Sequence, residues 1–385
     1  MKKKIVSVIL VAAMAVGCLA GCGSKEAKNE DAFYIGGIGP VTGDAAIYGT
    51  AVQNGAQIAV DEINEAGGIN GHQIEYNFQD DQGDPEKAAN AYNTLKDWGM
   101  QVLMGTVTTG PCVSVADLTA ADNMFQITPS ASSTDVIKND NVFQVCFTDP
   151  AQGTKSAQYI GEHSLATKVA VLYDSSADYN SGINDAFVAA AEENGLEIVA
   201  DEAYTADSNT DFSVQLKKIK DSGAELLFLP NYYADNALIL QQAHDAGMDD
   251  VKKFGVDGMD GILGVENFDT SLAEGVMLLT PFSATSEDEK SQAFVKAYED
   301  ANKDEVPNQF AADTYDVIYA MKAAADAAEI TPDMSNEDIS AAMSEAMLSV
   351  ELDGLTGKAK WTEDGECDKE PKAFEIQDGA YVEME

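Results

Sequence analysis

Four hydroxyl-bearing residues, Thr108, Thr109, Ser130 and Ser132, fall where apolar runs give way to helical patterning. Backbone N–H groups at such a junction lack helical acceptors and the helix dipole favours negative charge, so amides and hydroxyls together can hold a carboxylate. The same residue types serve as helix N-caps, and that ordinary role competes with the functional one. An anion site here has no guanidinium to call on, because all 23 basic residues are lysine and the bidentate fork of arginine is missing. Asp257 and Asp260, in VDGMDG, offer a partner for an ammonium group; Asp-Gly is also an ordinary turn signal, and either acid can fill the role. Tyr48, Tyr179, Tyr232 and Phe310 lie at loop ends or a helix start, where they can wall an apolar pocket or pack in the core.

Other chemistries find no constellation in the sequence. There is no GxSxG elbow, HExxH or P-loop, and the glycine cluster GGIGPVTG puts Thr42 where a dinucleotide fingerprint needs its last glycine. His72, His163 and His244 are scattered without ligand spacing, and Cys112, Cys146 and Cys367 form no CxxC pair. Neither a metal site, a cofactor nor a disulfide framework is expected, and an enzyme is not expected. With 66 acidic residues and a net charge of −43, the chain lacks the basic patch that nucleic acid or an anionic membrane surface requires.

The elements that must position these residues are those of an α/β protein. A strand around Phe33 to Ile38 leads into a helix with Val52, Ala56, Ala59, Ile63 and Ala66 on one face, stopped by Gly67-Gly68. Strands and helices then alternate: strand 73–78, helix 85–98, strand 101–104, helix 111–121 and strand 125–128. A second run begins near Lys168 with strand 169–173, helix 182–194, strand 196–204, helix 212–221, strand 226–230 and helix 235–246. Runs such as VAVLY and LLFLP are apolar throughout, as in parallel sheets covered on both faces. The remainder, with a strand at 276–281, helices near 289–302, 310–328 and 336–347 and a β-rich tail, is too short for a third lobe and is expected to complete both. In open α/β sheets ligands bind beyond the carboxyl ends of the strands, and the hydroxyl, acidic and aromatic residues above all fall in those loops.

The first residues combine Lys2, Lys3 and Lys4 with an apolar run from Ile5 to Ala15, the order of a secretory signal. The run ends in Leu19-Ala20-Gly21-Cys22, which resembles the bacterial lipobox and implies lipidation of Cys22. Residues 22–31 read as a tether. The expectation is an extracytoplasmic protein, anchored to the bacterial cell membrane by its N-terminal lipid only.

Further along, the chain carries GPVTGDAAIYG, the run AVDEINEAGGINGHQIEYNFQDDQGDP and ITPSAS. With these motifs and the lipobox it resembles the branched-chain (leucine/isoleucine/valine) amino-acid binding proteins of ABC importers. The resemblance implies a type I periplasmic-binding fold, with two similar doubly wound parallel-sheet lobes joined by three crossovers near 150, 281 and 366. It places lobe 1 at 32–150 plus 282–365 and lobe 2 at 151–281 plus 366–385, after a signal peptide at 1–21. It implies that Thr109, Ser130 and Ser132 hold the ligand α-carboxylate, within loops that also contain Thr108 and Ala131. An acid of the second lobe, Asp257 or the nearby Asp260, takes the ammonium, with Tyr179 beside it. Tyr48, Val107, Tyr232 and Phe310 match positions that surround the ligand side chain. The family's usual serine is Thr109 here and its usual glutamate is an aspartate, which leaves the ligand open among branched-chain and other apolar amino acids, amides and aromatic acids. The implied partners are an ABC permease and its ATPase, served by a monomer; a ligand-sensing module is the alternative role.

Overall fold

The computed structural model describes residues 28–303 and 305–384; the N-terminal signal, the lipobox and Cys22 lie outside the described residues. Strands β1 (Phe33–Gly39), β2 (Ile74–Asp80), β3 (Val102–Gly105), β4 (Phe125–Thr128) and β5 (Val142–Gln144) form a wholly parallel sheet in the order β2-β1-β3-β4-β5. Helices α1 (Ala46–Glu65), α2 (Pro85–Trp98) and α3 (Thr109–Ala121) pack on it. Every residue of β1, β3, β4 and β5 is buried, which accounts for their unbroken apolar character. Helix ends follow local chemistry: Asp84 accepts from Lys87 N–H, Pro85 follows it, and Gly99 closes α2 at φ 102°.

The chain then passes to a second sheet. Helix α4 (Asp149–Glu162) precedes β6 (Lys168–Asp174), α5 (Asp178–Ala191), β7 (Glu197–Tyr204), α6 (Ser213–Ser222), β8 (Leu226–Leu229), α7 (Tyr233–Asp245), β9 (Lys252–Gly255) and β10 (Met277–Thr280). It returns to the first half with α8 (Glu289–Ala301), α9 (Gln309–Ala327) and α10 (Asn336–Met347), and adds a small antiparallel sheet of β11 (Glu351–Gly354), β12 (Gly357–Trp361) and β13 (Cys367–Asp368). Strands β14 (Lys372–Gln377) and β15 (Ala380–Glu383) finish the second sheet as its antiparallel edge, in the order β15-β14-β10-β9-β8-β6-β7. This is the expected doubly wound pair of lobes. Helix α9 lies against α1 so closely that a Cβ at Gly55 would stand 2.2 Å from the Ala311 carbonyl oxygen.

The segment between β4 and β6, where the periodicity shows no element, holds both β5 and α4. The buried face of α4 consists of Asp149, Gln152, Gly153, Ser156, Ala157 and Ile160, too polar and too small to register as an amphipathic stripe. Three helices also start earlier than their patterns indicate. Helix α3 begins at Thr109 rather than 111, α5 at Asp178 rather than 182, and α7 at Tyr233 rather than 235. Tyr179 therefore sits in a first helical turn, and Tyr232 is the N-cap residue of α7.

Candidate functional site

The loops after β3 and β4 are bound into one surface by their own hydroxyls. Thr128 Oγ1 donates to the Thr106 carbonyl at 2.6 Å and accepts from the Ala131 N–H at 3.0 Å, while Ser130 Oγ donates to the Val107 carbonyl at 2.7 Å. Thr108 occupies the N-cap position of α3, yet its side chain makes no capping hydrogen bond. Thr108 Oγ1, Thr109 Oγ1 and Ser132 Oγ are all buried and make no hydrogen bond within the protein. Burying a hydroxyl without a partner costs about 1–3 kcal/mol, so three of them around the first turn of one helix are poorly explained by capping or packing. They are donors disposed to receive an anion.

Across from them, the loop after β9 enters a 3-10 turn at Asp257–Met259. Tyr179 Oη donates to Asp257 Oδ1 at 2.5 Å and accepts from the Gly258 N–H at 3.0 Å, and Gln152 Oε1 accepts from the Asp257 N–H at 3.4 Å. Burial raises the Asp257 carboxyl to about 6, against the lowering effect of the Tyr179 hydroxyl and the Gly258 amide. Asp149, the first residue of α4, stands near it at 2% exposure, with its N–H on the Ser132 carbonyl at 2.8 Å and its Oδ1 unpartnered. Burial drives the Asp149 carboxyl well above the usual carboxylate range, offset in part by Ser132 and reinforced by the charge of Asp257. Two desolvated carboxylates on one wall favour a cation between the lobes.

Aromatic rings and backbone bonds close the space. Tyr48 packs against Phe310 at 4.2 Å and Tyr232 at 5.6 Å between ring centroids, and Tyr232 stacks on Tyr179 at 4.7 Å. The Tyr232 hydroxyl lies beside the Thr109 amide and hydroxyl. Tyr48 Oη donates to the Gly258 carbonyl and accepts from the Tyr233 N–H at 3.2 Å, and the Ile47 N–H donates to Tyr233 Oη at 3.2 Å. Gln309, at the start of α9, donates through Nε2 to the Asp257 carbonyl at 2.7 Å and through its own N–H to Asp260 Oδ2 at 2.8 Å. These bonds join elements packed on different sheets, so the two lobes are in contact across the cleft.

The structure thus gathers Tyr48, Thr109, Tyr179, Tyr232, Asp257 and Phe310 in one buried cluster, with Thr108, Ser130, Ala131, Ser132 and Val107 buried in the adjoining loops. Asp260 is tied instead to the N-terminus of α9 through Gln309. Asp149, Gln152 and Gln309 belong to the cleft without having been singled out in the sequence. Asp149 was within reach, since Thr148-Asp149-Pro150 is a helix-start signal at a crossover; two glutamines in polar stretches carry no such mark. Among the described residues, no group of three His, Cys, Asp or Glu is placed to hold a metal ion.

A family model described as periplasmic binding protein matches residues 32–380. The Leu/Ile/Val-binding protein homolog 3 of Brucella melitensis biotype 1 is 31% identical over 358 residues, which cover 91% of this chain and 93% of that protein. The chain belongs to the branched-chain amino-acid binding proteins of the periplasmic-binding family. Another member of that family, the leucine-, isoleucine-, valine-, threonine- and alanine-binding protein of Pseudomonas aeruginosa, is 29% identical and covers 77% of each chain. Among solved structures, the branched-chain amino acid transporter substrate-binding protein LivJ of Streptococcus pneumoniae, in complex with isoleucine, aligns with a TM-score of 0.81 at 30% identity. It covers 92% of this chain and 100% of that one. Family membership agrees with the motifs from GPVTGDAAIYG to ITPSAS and with the type I fold they imply.

Proposed function

We propose that this family member captures a small apolar amino acid, most simply leucine, isoleucine or valine, between its lobes and presents it to an ABC permease and its ATPase. The observation that carries this reading is the pairing, across one closed cleft, of partnerless buried hydroxyls at the start of α3 with the buried Asp257–Tyr179 pair. The ligand carboxylate is held by Thr108, Thr109 and Ser132 with the first amides of α3. The ammonium is held by Asp257, oriented by Tyr179 and Gln152, and the side chain lies among Tyr48, Val107, Tyr232 and Phe310. Ser130 and Ala131 shape the carboxylate loop, with Ser130 Oγ committed to Val107.

The closing bodies are 32–150 plus 282–365 and 151–281 plus 366–385, moving about the crossovers as hinged lobes. Cys22 carries the lipid that holds the monomer at the outer face of the cell membrane. Support for import over sensing comes from the relatives, among them a transporter substrate-binding protein. Thermal unfolding of refolded, ligand-free chain against a panel of amino acids, amides and aromatic acids tests the assignment. Leucine, isoleucine or valine raises Tm with concentration, while a shift only with amides or aromatic acids reassigns the pocket.

A further inference from the structure

A second recess lies beyond Gln309, on the side of the cleft away from Asp257. It is a groove of about 800 Å³ whose walls come from both lobes and from the crossover after β10. Ile47, Leu263, Phe282 and Val306 give it apolar sides, and Asp260, Glu299 and Glu305 give it acids; none of the described residues lining it is basic. Its volume lies within the range of small-molecule sites. Asp260 is 2% exposed, and while its Oδ2 accepts from the Gln309 N–H, its Oδ1 makes no hydrogen bond. The Tyr381 hydroxyl stands beside this carboxyl and accepts from the Gly261 N–H at 3.4 Å.

We infer that this groove is a second binding site, for a small organic monocation such as a primary amine with an apolar body. A buried, half-satisfied carboxylate in a recess without basic residues is complementary to a desolvated ammonium, and the apolar walls to the rest of such a molecule. A divalent metal fits poorly, because the acids of the groove do not converge as a ligand set. The occupant spans residues of both lobes, Ile47 from α1 and Leu263 from the segment after β9, so it favours the same closed arrangement as the amino acid. Gln309, bonded to Asp260 on one side and to the Asp257 carbonyl on the other, links the two sites.

Calorimetric titration with benzylamine, and with benzyl alcohol as its uncharged counterpart, tests this. Benzylamine binds saturably, binds at least tenfold more tightly than the alcohol, and loses at least tenfold in affinity in both Asp260→Asn and Glu299→Lys. The second variant changes a partly exposed residue of α8 and decides the matter should the first not fold. Absence of saturable binding, equal binding of the alcohol, unchanged affinity in Glu299→Lys, or displacement of benzylamine by leucine overturns the inference. Leucine titrated separately keeps the two readings apart: leucine binding without amine binding removes only the second site, and amine binding without leucine binding removes only the amino-acid assignment.

Discussion

Asp257 is the residue on which ligand capture turns. It is buried, bonded to Tyr179 and raised to about 6. Asp257→Asn keeps its shape and removes its charge. A hydrogen bond to a charged group contributes about 1.5–3 kcal/mol, so leucine affinity falls roughly 10- to 100-fold in calorimetry, with Tm little changed. An ammonium beside Asp257 favours its ionised form, so binding releases the proton that the free protein holds below about pH 6. Leucine affinity therefore weakens as pH falls through that value, and this dependence disappears in Asp257→Asn. On the opposite wall, Ser132→Ala removes one partnerless buried hydroxyl. It lowers affinity for leucine by about tenfold, near 1.4 kcal/mol, and leaves stability of the ligand-free chain unchanged or improved, since no internal hydrogen bond is lost.

Among the elements, α4 is the least conspicuous in sequence and one of the most consequential in structure. A Cβ on Gly153 would stand 2.3 Å from the Ile183 carbonyl oxygen and 2.7 Å from the Phe187 nitrogen, so α4 and α5 pack backbone to backbone there. Gly153→Ala forces them apart and destabilises the fold by about 1–3 kcal/mol, read as a lower Tm, and it weakens leucine binding because α4 carries Asp149 and Gln152. The same closeness explains what the sequence conceals. Helices such as α1, with Val52, Ala56, Ala59 and Ile63 on one face, declare themselves through periodicity. Helix α4 buries glycine, serine and glutamine, and its tertiary partner alone makes sense of that choice. The candidate site divides along the same line. Tyr48, Thr109, Tyr179, Tyr232 and Asp257 sit at strand–helix junctions that the alternating pattern locates, whereas Gln152 and Gln309 acquire meaning only when α4 and α9 meet the turn at Asp257–Met259. The distinct role of Asp260 likewise depends on which loop faces it, a fact of lobe packing that two acids three residues apart cannot reveal.

At the scale of the whole molecule, an acidic chain has buried several of its acids. Burial raises Asp81, Asp257 and Asp260 to about 6 and Asp313 to about 7, the last despite the nearby Lys369 ammonium. These groups bind protons more tightly folded than unfolded between about pH 4 and pH 7. The folded state therefore holds the extra protons, and stability is greatest at the acidic end and declines as pH rises through that window. Asp288, where hydrogen bonds from Ser286 and Ser291 outweigh burial, sits at about 2 and acts in the opposite sense only below about pH 4. Ligand-free chain should thus show a higher Tm at pH 5 than at pH 8, and saturating leucine should narrow the gap, since its ammonium stabilises the ionised Asp257. A Tm that rises from pH 5 to pH 8 in the ligand-free chain would contradict the buried-acid account. The central claim, that the closed cleft is an amino-acid site, meets its most direct test in calorimetric titration of refolded, ligand-free chain with leucine at pH 7.5. One leucine per chain at micromolar affinity or tighter, about −8 kcal/mol or better, is the result predicted. A folded chain giving no saturable heat with leucine, isoleucine or valine would contradict it.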